Sequence, residues 1–320
     1  MRIGSLILKN SLFLAPMAGI SDLPYRQIMK AFGAGLVFTE MVSANGLVYE
    51  GRRTRELLRS NATEGPLGVQ IFGSDPDILA QAAVLVENDG DLLDINMGCP
   101  VKKVVRSGAG SALLREPERV ARIIRSVRRA TSRPLTIKIR SGWDHSSENY
   151  LEIGHIAQEE GADAVTLHPR TRAQGFSGKS AWEHIHALKQ RLRIPVIGSG
   201  DIFDAEDALS MRAGSGCDAV MIGRGGYGNP WLLRDILELE KANTRPSAPS
   251  REDRLRVVLR HFDLHLEQFG PVRTLGEMRK HLCWYSRGLC GASSFRAQVN
   301  SSRGVDELRK ATRAFFLLEP

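Results

Sequence analysis

The chain has 320 residues, of which 42% are hydrophobic and 25% are charged. That balance is typical of an ordinary globular protein, and the length accommodates one large domain with a smaller one. Every apolar run is shorter than the roughly 18 residues that a membrane span requires, so the sequence predicts no membrane partner.

Charge and cysteine content predict the setting and the partners. Residues 243–320 contain 14 Lys and Arg against 8 Asp and Glu, which is +6 of the formal net charge of +8. A basic surplus in one region predicts a polyanionic partner such as nucleic acid, the alternative being a solvated helix face. Cys99, Cys217, Cys283 and Cys290 form no CxxC pair, which predicts neither a disulfide framework nor a metal site. We therefore expect a cytoplasmic protein, with no protein partner implied and a monomeric state.

The N-terminal segment MRIGSLILKNSLFLAPMAGI is apolar at its centre but is split by Lys9 and Asn10. Because it also lacks a small-residue cleavage signal, it is interpreted as the first structured element and not as a secretory signal.

Strand-like and helix-like segments then alternate up to residue 242. Strands are predicted at Phe13–Ala15, Leu36–Thr39, Gly68–Phe72, Leu92–Ile95, Leu135–Ile139, Ala164–Leu167, Val196–Gly198 and Ala219–Ile222. Between them, helical periodicity occurs at 76–88, 117–130, 148–160 and 204–213. Alternation of this kind implies parallel strands. Eight such units predict a (β/α)8 TIM barrel, which typically takes about 250 residues.

A doubly wound sheet is the alternative, but no GxGxxG motif follows the first predicted strand. Two helix starts support the assignment. Asp75 precedes Pro76 as a candidate N-cap, and Glu116 precedes Pro117 in the same way.

The pattern changes after Glu240. Residues 241–250, KANTRPSAPS, are polar and contain proline, which is typical of a linker. Helical periodicity at 251–268, 273–287 and 304–317, without strand signals, predicts a small α-helical domain. We therefore expect a barrel domain over 1–242 and a helical domain over 250–320.

Cys99 is the next-to-last residue of the run LLDINMGCP (92–100), where a predicted strand opens into a loop. In a parallel barrel the active site lies at that edge, the C-terminal end of the strands. The alternative is an inert buried thiol, which is common for cysteine. The strand-end position and the following Pro100 favour a functional thiol.

Other strand ends predict a site for a phosphate-bearing, flat ligand. The segments IGSGD (197–201) and IGRGG (222–226) end the seventh and eighth strands, where such barrels usually bind phosphate. Small residues in APMAG (15–19) would let a flat ring approach, although taken alone they are better explained by a tight βα turn. Lys138 is expected to point into the barrel, where its ammonium needs a partner such as the anionic edge of a reduced flavin.

These segments together resemble the tRNA-dihydrouridine synthases, flavin enzymes that reduce specific uridines in transfer RNA. The resemblance is carried by APMAGISDLPYR (15–26), VQIFGSDP (69–76), DINMGCPVKKV (94–104), GAGSALL (108–114), KIRSGWD (138–144), LHPRTR (167–172), GSGDI (198–202) and IGRGGYGNPW (222–231). In addition, RKHLCWY (279–285) is similar to the tail domain of the bacterial B-type subgroup.

The resemblance implies roles for individual residues, with Cys99 as the catalytic proton donor. FMN would be held by Pro16, Met17, Ala18, Gln70, Lys138, His168, Ser199, Gly200, Asp201, Gly223 and Arg224. The residues predicted to contact tRNA are Asn96, Lys102, Lys103, Arg106, Arg170, Arg172, Arg279 and Lys280. Two departures from the family pattern occur at Ser199, where asparagine is usual, and at Pro169, where glycine is usual.

The implied reaction adds a hydride and a proton across the C5–C6 bond of uracil. NADPH would reduce FMN, the flavin N5 would deliver hydride to C6, and Cys99 would protonate C5 from the opposite face. A cysteine pKa of about 8.5 leaves the thiol mostly protonated at neutral pH. The uridine must leave its stack at a cost of a few kcal/mol, which contacts to the RNA backbone would offset.

Two alternatives remain open from the residues alone. One is an FMN barrel that acts on a free pyrimidine or another small molecule, which the basic tail disfavours. The other is an RNA-binding protein that has lost catalysis, which Cys99 and Lys138 disfavour.

Overall fold

A computed structural model of the chain describes residues 1–242, 244 and 246–317, apart from the side chain of Arg53. Two positions of the predicted linker, 243 and 245, lie outside the described residues. The last three positions of the predicted tail domain, 318–320, do so as well.

Within the described residues, nine parallel strands form one sheet, eight of which form a barrel, and a short hairpin precedes them. The hairpin pairs β1 (Arg2–Ile3) with β2 (Leu6–Ile7). The remaining strands are β3 (Leu12–Leu14), β4 (Val37–Phe38), β5 (Val42–Ser43), β6 (Leu67–Phe72), β7 (Leu92–Asn96), β8 (Leu135–Arg140), β9 (Ala164–His168), β10 (Val196–Ser199) and β11 (Ala219–Ile222). Their order is β3-β11-β10-β9-β8-β7-β6-β4, with β5 pairing on β6. A parallel bridge between Phe13 and Leu36 joins the two ends of this order.

The predicted TIM barrel is thus confirmed, and each predicted strand coincides with an observed one to within two residues. The hairpin and β5 were not predicted, because each strand has only two residues and carries no periodic signal. Ile3 and Leu8, from the hairpin region, pack on the inner barrel residues Phe13 and Leu36. Since the hairpin precedes β3, it covers the N-terminal end of the barrel and leaves the other end open.

Helices surround the barrel. They are α1 (Leu23–Ala31), α2 (Ala44–Val48), α3 (Arg52–Glu56), α4 (Pro76–Leu85), α5 (Lys102–Arg106), α6 (Pro117–Ala130), α7 (Tyr150–Glu159), α8 (Trp182–Arg191), α9 (Ala205–Ser215) and α10 (Trp231–Ala242). The helices predicted at 76–88, 117–130, 148–160 and 204–213 are confirmed as α4, α6, α7 and α9. Asp75 caps α4 by accepting hydrogen bonds from the backbone N–H groups of Asp77 and Ile78. Glu116 pairs instead with Arg119 at 3.0 Å.

The tail is helical, as predicted. It consists of α11 (Arg251–Tyr285), α12 (Ala292–Ser301) and α13 (Val305–Leu317). Gly270, with φ +74°, and Pro271 break α11 between the two helices that the sequence predicted there. The helix α12 was not predicted. Among the described residues, no helix is both long and apolar enough to cross a lipid bilayer.

The tail has its own apolar cluster, which includes Val258, Phe262, Leu282 and Phe315. It is also docked on the loop that follows β11. The Tyr227 ring stacks on Trp284 with 4.2 Å between centroids. Gly228 approaches so closely that a Cβ there would lie 2.3 Å from the carbonyl carbon of Trp284. Only glycine fits this contact.

Two histidines are buried where α11 meets the barrel. His261 and His281 are fully buried, and their rings lie 4.6 Å apart at centroids, near Tyr25. Among the described residues, neither ring nitrogen of His281 has a hydrogen-bond partner. Burial lowers the pKa of His261 to about 3 and moves the pKa of His281 well below its usual range. Both rings are therefore neutral in the folded protein.

This burial predicts a loss of stability on mild acidification. The folded pKa values lie below the unfolded value of 6.5, so the unfolded chain binds protons that the folded chain does not bind. The contribution of these neutral histidines to the free energy of unfolding is complete above pH 6.5. As the pH falls below that value, the free energy of unfolding decreases, by a slope that approaches about 1.4 kcal/mol per pH unit for each histidine. Urea unfolding at several pH values between 7.5 and 5 measures this decrease in the free energy of unfolding.

The matched variants are His281→Phe, which keeps a ring in the cluster, and His145→Gln, which removes an exposed side chain. His281→Phe should reduce the pH dependence of the free energy of unfolding, whereas His145→Gln should retain it. Equal slopes in the wild type and His281→Phe would contradict the assignment.

Candidate active site

A cavity of about 310 Å³ opens at the C-terminal ends of the strands, where the sequence predicts the active site. The loops after β3, β7, β10 and β11 and the ends of β8 and β9 form its wall. The predicted site residues on this wall are Pro16, Met17, Ala18, Asn96, Cys99, Lys138, His168, Ser199, Gly200, Asp201, Gly223 and Arg224.

The loop that carries Cys99 is fixed by its backbone. The N–H groups of Gly98 and Cys99 donate to Oδ1 of Asn96 at 3.2 and 2.9 Å. The Cys99 carbonyl accepts from the Ser111 hydroxyl at 2.9 Å and from the Ser111 N–H at 3.1 Å. Hydrogen bonds therefore hold both the N–H and the carbonyl of Cys99, which fixes the backbone that carries the thiol.

A polar chain beneath the cavity wall holds Asn96 in turn. Asn96 Nδ2 donates to Gln70 Oε1 at 2.9 Å, and Gln70 Nε2 donates to Asp94 at 2.6 Å. The Thr136 hydroxyl donates to the other Asp94 oxygen at 2.5 Å. Burial raises the pKa of Asp94 to about 6, and these hydrogen bonds oppose the rise.

Gln70 lies beneath the cavity wall, and its predicted contact with FMN stays a prediction. The side chain is fully buried and lies under Asn96 instead of facing the cavity. Its place in the polar chain makes it a positioning residue for the Cys99 loop. The sequence placed Gln70 correctly on a strand but could not show its partners.

The cavity keeps the Cys99 thiol protonated. Burial raises its pKa, while the charges of Arg140 and Lys138 lower it to a smaller extent. Removal from water disfavours the thiolate, and two nearby cations do not fully compensate. The arrangement suits a proton donor better than a nucleophile.

Lys138 and Arg140 supply positive charge to the wall. Burial lowers the pKa of Lys138 to about 8 and that of Arg140 to about 10. Arg140 is engaged, since it donates to the carbonyls of Gly98, Thr171 and Gly175. Lys138, by contrast, donates a hydrogen bond to none of the residues that the structure describes. Its ammonium is available to a ligand in the cavity.

Arg170 does not lie where an RNA could contact it. The side chain is 2% exposed, and its guanidinium donates to Asp201 at 2.6 Å, to His168 Nε2 at 3.3 Å and to the Gly178 carbonyl at 2.5 Å. The prediction of an RNA contact is therefore corrected. Arg170 positions His168 and Asp201, two residues of the cavity wall.

This contact also defines the state of His168. Arginine can only donate, so Nε2 of His168 accepts and the ring proton resides on Nδ1. Burial, together with nearby cations, moves the pKa of His168 well below its usual range. His168 is thus a neutral ring with Nδ1–H as its donor.

Asp201 connects the glycine-bearing loops after β10 and β11. It accepts from Arg170 at 2.6 Å and from Arg224 at 3.2 Å. Its φ of +54° is unusual for a residue other than glycine, although aspartate tolerates that region better than most. Gly200, with φ +112°, approaches His168 so closely that a Cβ would lie 3.0 Å from the ring.

The two departures from the family pattern have different positions. Ser199 lies on the cavity wall. Pro169 is buried behind His168, and its carbonyl accepts from the Ala181 N–H at 3.0 Å. Pro169 is not among the residues that line the cavity.

The remaining basic residues fall into two groups. Lys102, Lys103 and Arg106 are exposed on α5, directly after the cavity residue Val101. The others are already engaged. Arg172 lies 4.4 Å from the Trp143 ring, Arg279 donates to the Ser302 carbonyl at 2.6 Å, and Lys280 donates to the Gly19 carbonyl.

Two aromatic residues at the cavity were not predicted. Phe176 and Phe203 line the cavity and are 55% and 50% exposed. The Arg224 guanidinium lies 4.5 and 5.6 Å from their ring centroids. Large exposed rings at a cavity mouth are surfaces on which a flat ligand can stack. Phe176 lies in a loop between glycines, and this local sequence is the feature that could have indicated an exposed ring at the cavity.

Comparison with protein families gives a match to "Dihydrouridine synthase (Dus)" over residues 13–317. The tRNA-dihydrouridine synthase B of Pasteurella multocida is 42% identical over 99% of this chain and 96% of its own length. The protein of the same name from Pseudomonas aeruginosa is 42% identical over 98% and 95%. A probable tRNA-dihydrouridine synthase of Rickettsia conorii is 38% identical over 93% and 91%.

Among solved structures, histamine dehydrogenase from Rhizobium sp. 4-9 superposes with a TM-score of 0.57 at 14% identity. The superposition covers 74% of this chain and 47% of that one. At that identity the similarity supports the barrel fold alone.

The raised pKa of Cys99 predicts slow alkylation. At pH 7.5 we expect iodoacetamide to modify the exposed Cys290 at least about tenfold faster than Cys99. The Cys99 rate should still be rising above pH 9, because little thiolate forms below that pH. Peptide mass spectrometry over time measures both sites in one sample. A Cys99 rate that levels off below pH 8 would show an activated thiolate instead.

Proposed function

The chain belongs to the dihydrouridine synthase family, and we propose that it reduces uridines of tRNA to dihydrouridine as a flavin-dependent oxidoreductase. The observation that carries the proposal is the convergence of Cys99, Lys138 and Arg224 on one cavity at the C-terminal end of the barrel. A proton donor there faces cations that suit an anionic, phosphate-bearing cofactor.

The cavity residues fit FMN. Lys138 offers an ammonium that the described residues leave without a hydrogen-bond acceptor, and His168 offers Nδ1–H. The small residues Ala18 and Gly223 allow a flat ring to approach the wall. The positively charged guanidinium of Arg224 suits the phosphate group of FMN. When bound, FMN supplies the hydride that uracil C6 receives, and NADPH renews it.

Cys99 donates the proton that completes the reaction. The hydride brings two electrons to C6, and the Cys99 S–H transfers its proton to C5, so that the C5–C6 double bond becomes a single bond. The resulting thiolate regains a proton from solvent. The raised pKa of Cys99 keeps this proton on sulfur until the substrate is bound.

Asn96 and Arg140 support this step by holding the loop. Asn96 accepts from the Cys99 N–H at 2.9 Å, and Arg140 donates to the Gly98 carbonyl at 3.0 Å. A fixed backbone limits the positions that the thiol can take, and proton transfer is sensitive to that distance.

A tRNA substrate accounts for the exposed cations near the cavity. Lys102, Lys103 and Arg106 form a basic surface on α5, next to the Cys99 loop. Contacts to phosphate would offset part of the free energy needed to extrude a uridine. A tRNA substrate supports a cytoplasmic location.

The experiment that tests the function compares RNA with free nucleoside. Purified protein should be yellow, and after reduction by NADPH its flavin should be reoxidised by unmodified tRNA but not by uridine. Dihydrouridine mapped in tRNA from cells with and without the protein then identifies the positions. Efficient reoxidation by free uridine would favour a small-molecule reductase, and a colourless protein would favour an RNA-binding role.

Replacing the proposed proton donor should separate the two half-reactions. In Cys99→Ala, reduction of the flavin by NADPH should be unchanged, because the thiol has no part in it. Reoxidation by tRNA should slow about 10²–10⁴-fold, the range that general acid catalysis contributes. Stopped-flow absorbance in single turnover measures both rates.

Cys290→Ala is the matched control, since Cys290 is an exposed tail residue. It should behave as the wild type in both half-reactions. Unchanged reoxidation in Cys99→Ala would remove this residue from the mechanism.

Neutralising the α5 surface should weaken tRNA binding without affecting the flavin. In the double variant Lys102→Ala/Lys103→Ala, we expect the KM for tRNA to rise about tenfold. The slope of log K against log salt should fall by up to about two, because each lost phosphate contact lowers it by about 0.7–0.9. Filter binding at several salt concentrations measures this slope.

Lys241→Ala removes an exposed lysine at the far end of α10 and is the control. It should leave tRNA affinity unchanged. An identical salt slope in the wild type and the double variant would show that α5 does not contact the RNA.

A further inference from the structure

Asp22, His265 and Glu277 come together where the tail meets the barrel, away from the active-site cavity. Asp22 caps α1, whereas His265 and Glu277 lie on α11 on either side of the break at Gly270. The break turns the two halves of α11 toward each other. One potential ligand atom from each of the three side chains lies within 4.8 Å of the other two.

Each of these side chains uses one polar atom in the protein and keeps one for the centre of the cluster. Asp22 Oδ1 accepts from the Tyr25 N–H at 2.9 Å. Glu277 Oε1 accepts from Arg273 at 2.7 Å. His265 Nδ1 is hydrogen-bonded to the Thr274 hydroxyl at 2.9 Å. Asp22 Oδ2, Glu277 Oε2 and His265 Nε2 are the atoms that remain, and the last two are hydrogen-bonded to each other.

The Asp22 carboxylate makes this more than a group of polar residues. Asp22 is 5% exposed, and among the described residues its Oδ2 has no hydrogen-bond partner. Its neighbour is His265 Nε2, at 3.6 Å. A buried carboxylate oxygen without a partner is unfavourable, and a bound cation would satisfy it.

Two of the three distances between these atoms match those around zinc, and the third is within 4.8 Å. His265 Nε2 lies 3.2 Å from Glu277 Oε2 and 3.6 Å from Asp22 Oδ2. Ligand atoms about 2.0–2.2 Å from a tetrahedral zinc ion lie roughly 3.3–3.6 Å apart. The contact of His265 Nδ1 with Thr274 is the kind of outer hydrogen bond that fixes a ligating imidazole.

From this geometry we propose that Asp22, His265 and Glu277 form a zinc site that joins the tail to the barrel. One imidazole and two carboxylates suit zinc better than magnesium or calcium, which prefer oxygen ligands alone. Glu277 is 30% exposed at its side chain, so the ion can enter from solvent and a water can complete the tetrahedron.

The site has a structural consequence for the cavity. Asp22 follows the loop that carries Met17 and Ala18, and the Met17 N–H donates to the Ser21 hydroxyl at 2.9 Å. From the tail, Lys280 donates to the Gly19 carbonyl in the same loop. Zinc would therefore hold the tail against the loop that forms one side of the cavity.

The sequence predicted no metal, and none of its motifs indicated this site. The spacing of the cysteines predicted no metal site, and the cysteines take no part in this one. Asp22 is far from His265 and Glu277 along the chain, so no local motif connects them.

The test uses the full-length, untagged protein after treatment with a chelator. On addition of zinc chloride we expect one zinc per chain by elemental mass spectrometry. At a free zinc concentration about a hundredfold above Kd, the Tm should rise by about 5 °C. Cobalt substituted for zinc should give an absorption spectrum without a thiolate charge-transfer band, since no cysteine is a ligand.

Two conservative variants remove a ligand while keeping the local structure. Asp22→Asn retains an oxygen that can cap α1, and Glu277→Gln changes a partly exposed side chain. Each should weaken zinc binding by at least about tenfold. Glu267→Gln, an exposed residue of the same helix, should bind as the wild type does.

Three results would overturn the site. The wild type could bind no zinc, the two ligand variants could bind it as tightly as the wild type, or the cobalt form could show a thiolate band. A fourth result, an equal loss of stability in Asp22→Asn with and without zinc, would give Asp22 a structural role that does not involve a metal. None of these results bears on Cys99 or on the reduction of tRNA.

Discussion

The side-chain amide of Asn96 is the interaction on which the rest of the cavity depends. Its oxygen receives the N–H groups of Gly98 and Cys99, and its nitrogen donates to Gln70. It therefore joins the loop that carries the thiol to the polar chain inside the barrel. An amide suits this position because it accepts and donates at once, which a carboxylate or a hydrocarbon cannot do. Without it, two backbone donors at the loop would lack an acceptor, which is unfavourable by about 1–3 kcal/mol each.

Desolvation sets the charge states around that loop. The same removal from water raises the pKa of Cys99, lowers the pKa of Lys138 to about 8 and keeps His168 neutral. A more open cavity would bring all three nearer to their ordinary values. The protonated thiol of Cys99, the lowered pKa of Lys138 and the neutral ring of His168 thus all result from the same removal of the cavity wall from water. Lys138 still carries its charge at neutral pH, because its pKa remains above 7.

The sequence predicted the fold well because the signal is repeated and local. Each strand carries its own apolar run and each long helix its own periodicity, so eight short segments could be assigned independently. The residues facing the cavity could be inferred where a strand end alone decides the matter, as for Cys99 and Arg224. The interpretation was wrong for Arg170, because its surroundings depend on Asp201 and Gly178 in other parts of the chain. The buried position of Gln70 depends in the same way on Asp94 and Asn96.

The tail and the cavity share structural elements, and this limits how independently they can move. Tyr227 lines the cavity on one side and stacks on Trp284 of the tail on the other. Tyr25, beside the buried histidines, donates to the Gly226 carbonyl in the same loop at 2.9 Å. A displacement of α11 would therefore displace the wall next to Arg224. Because close-packed contacts of this kind do not deform continuously, an RNA bound to the tail would be held in a fixed relation to the thiol.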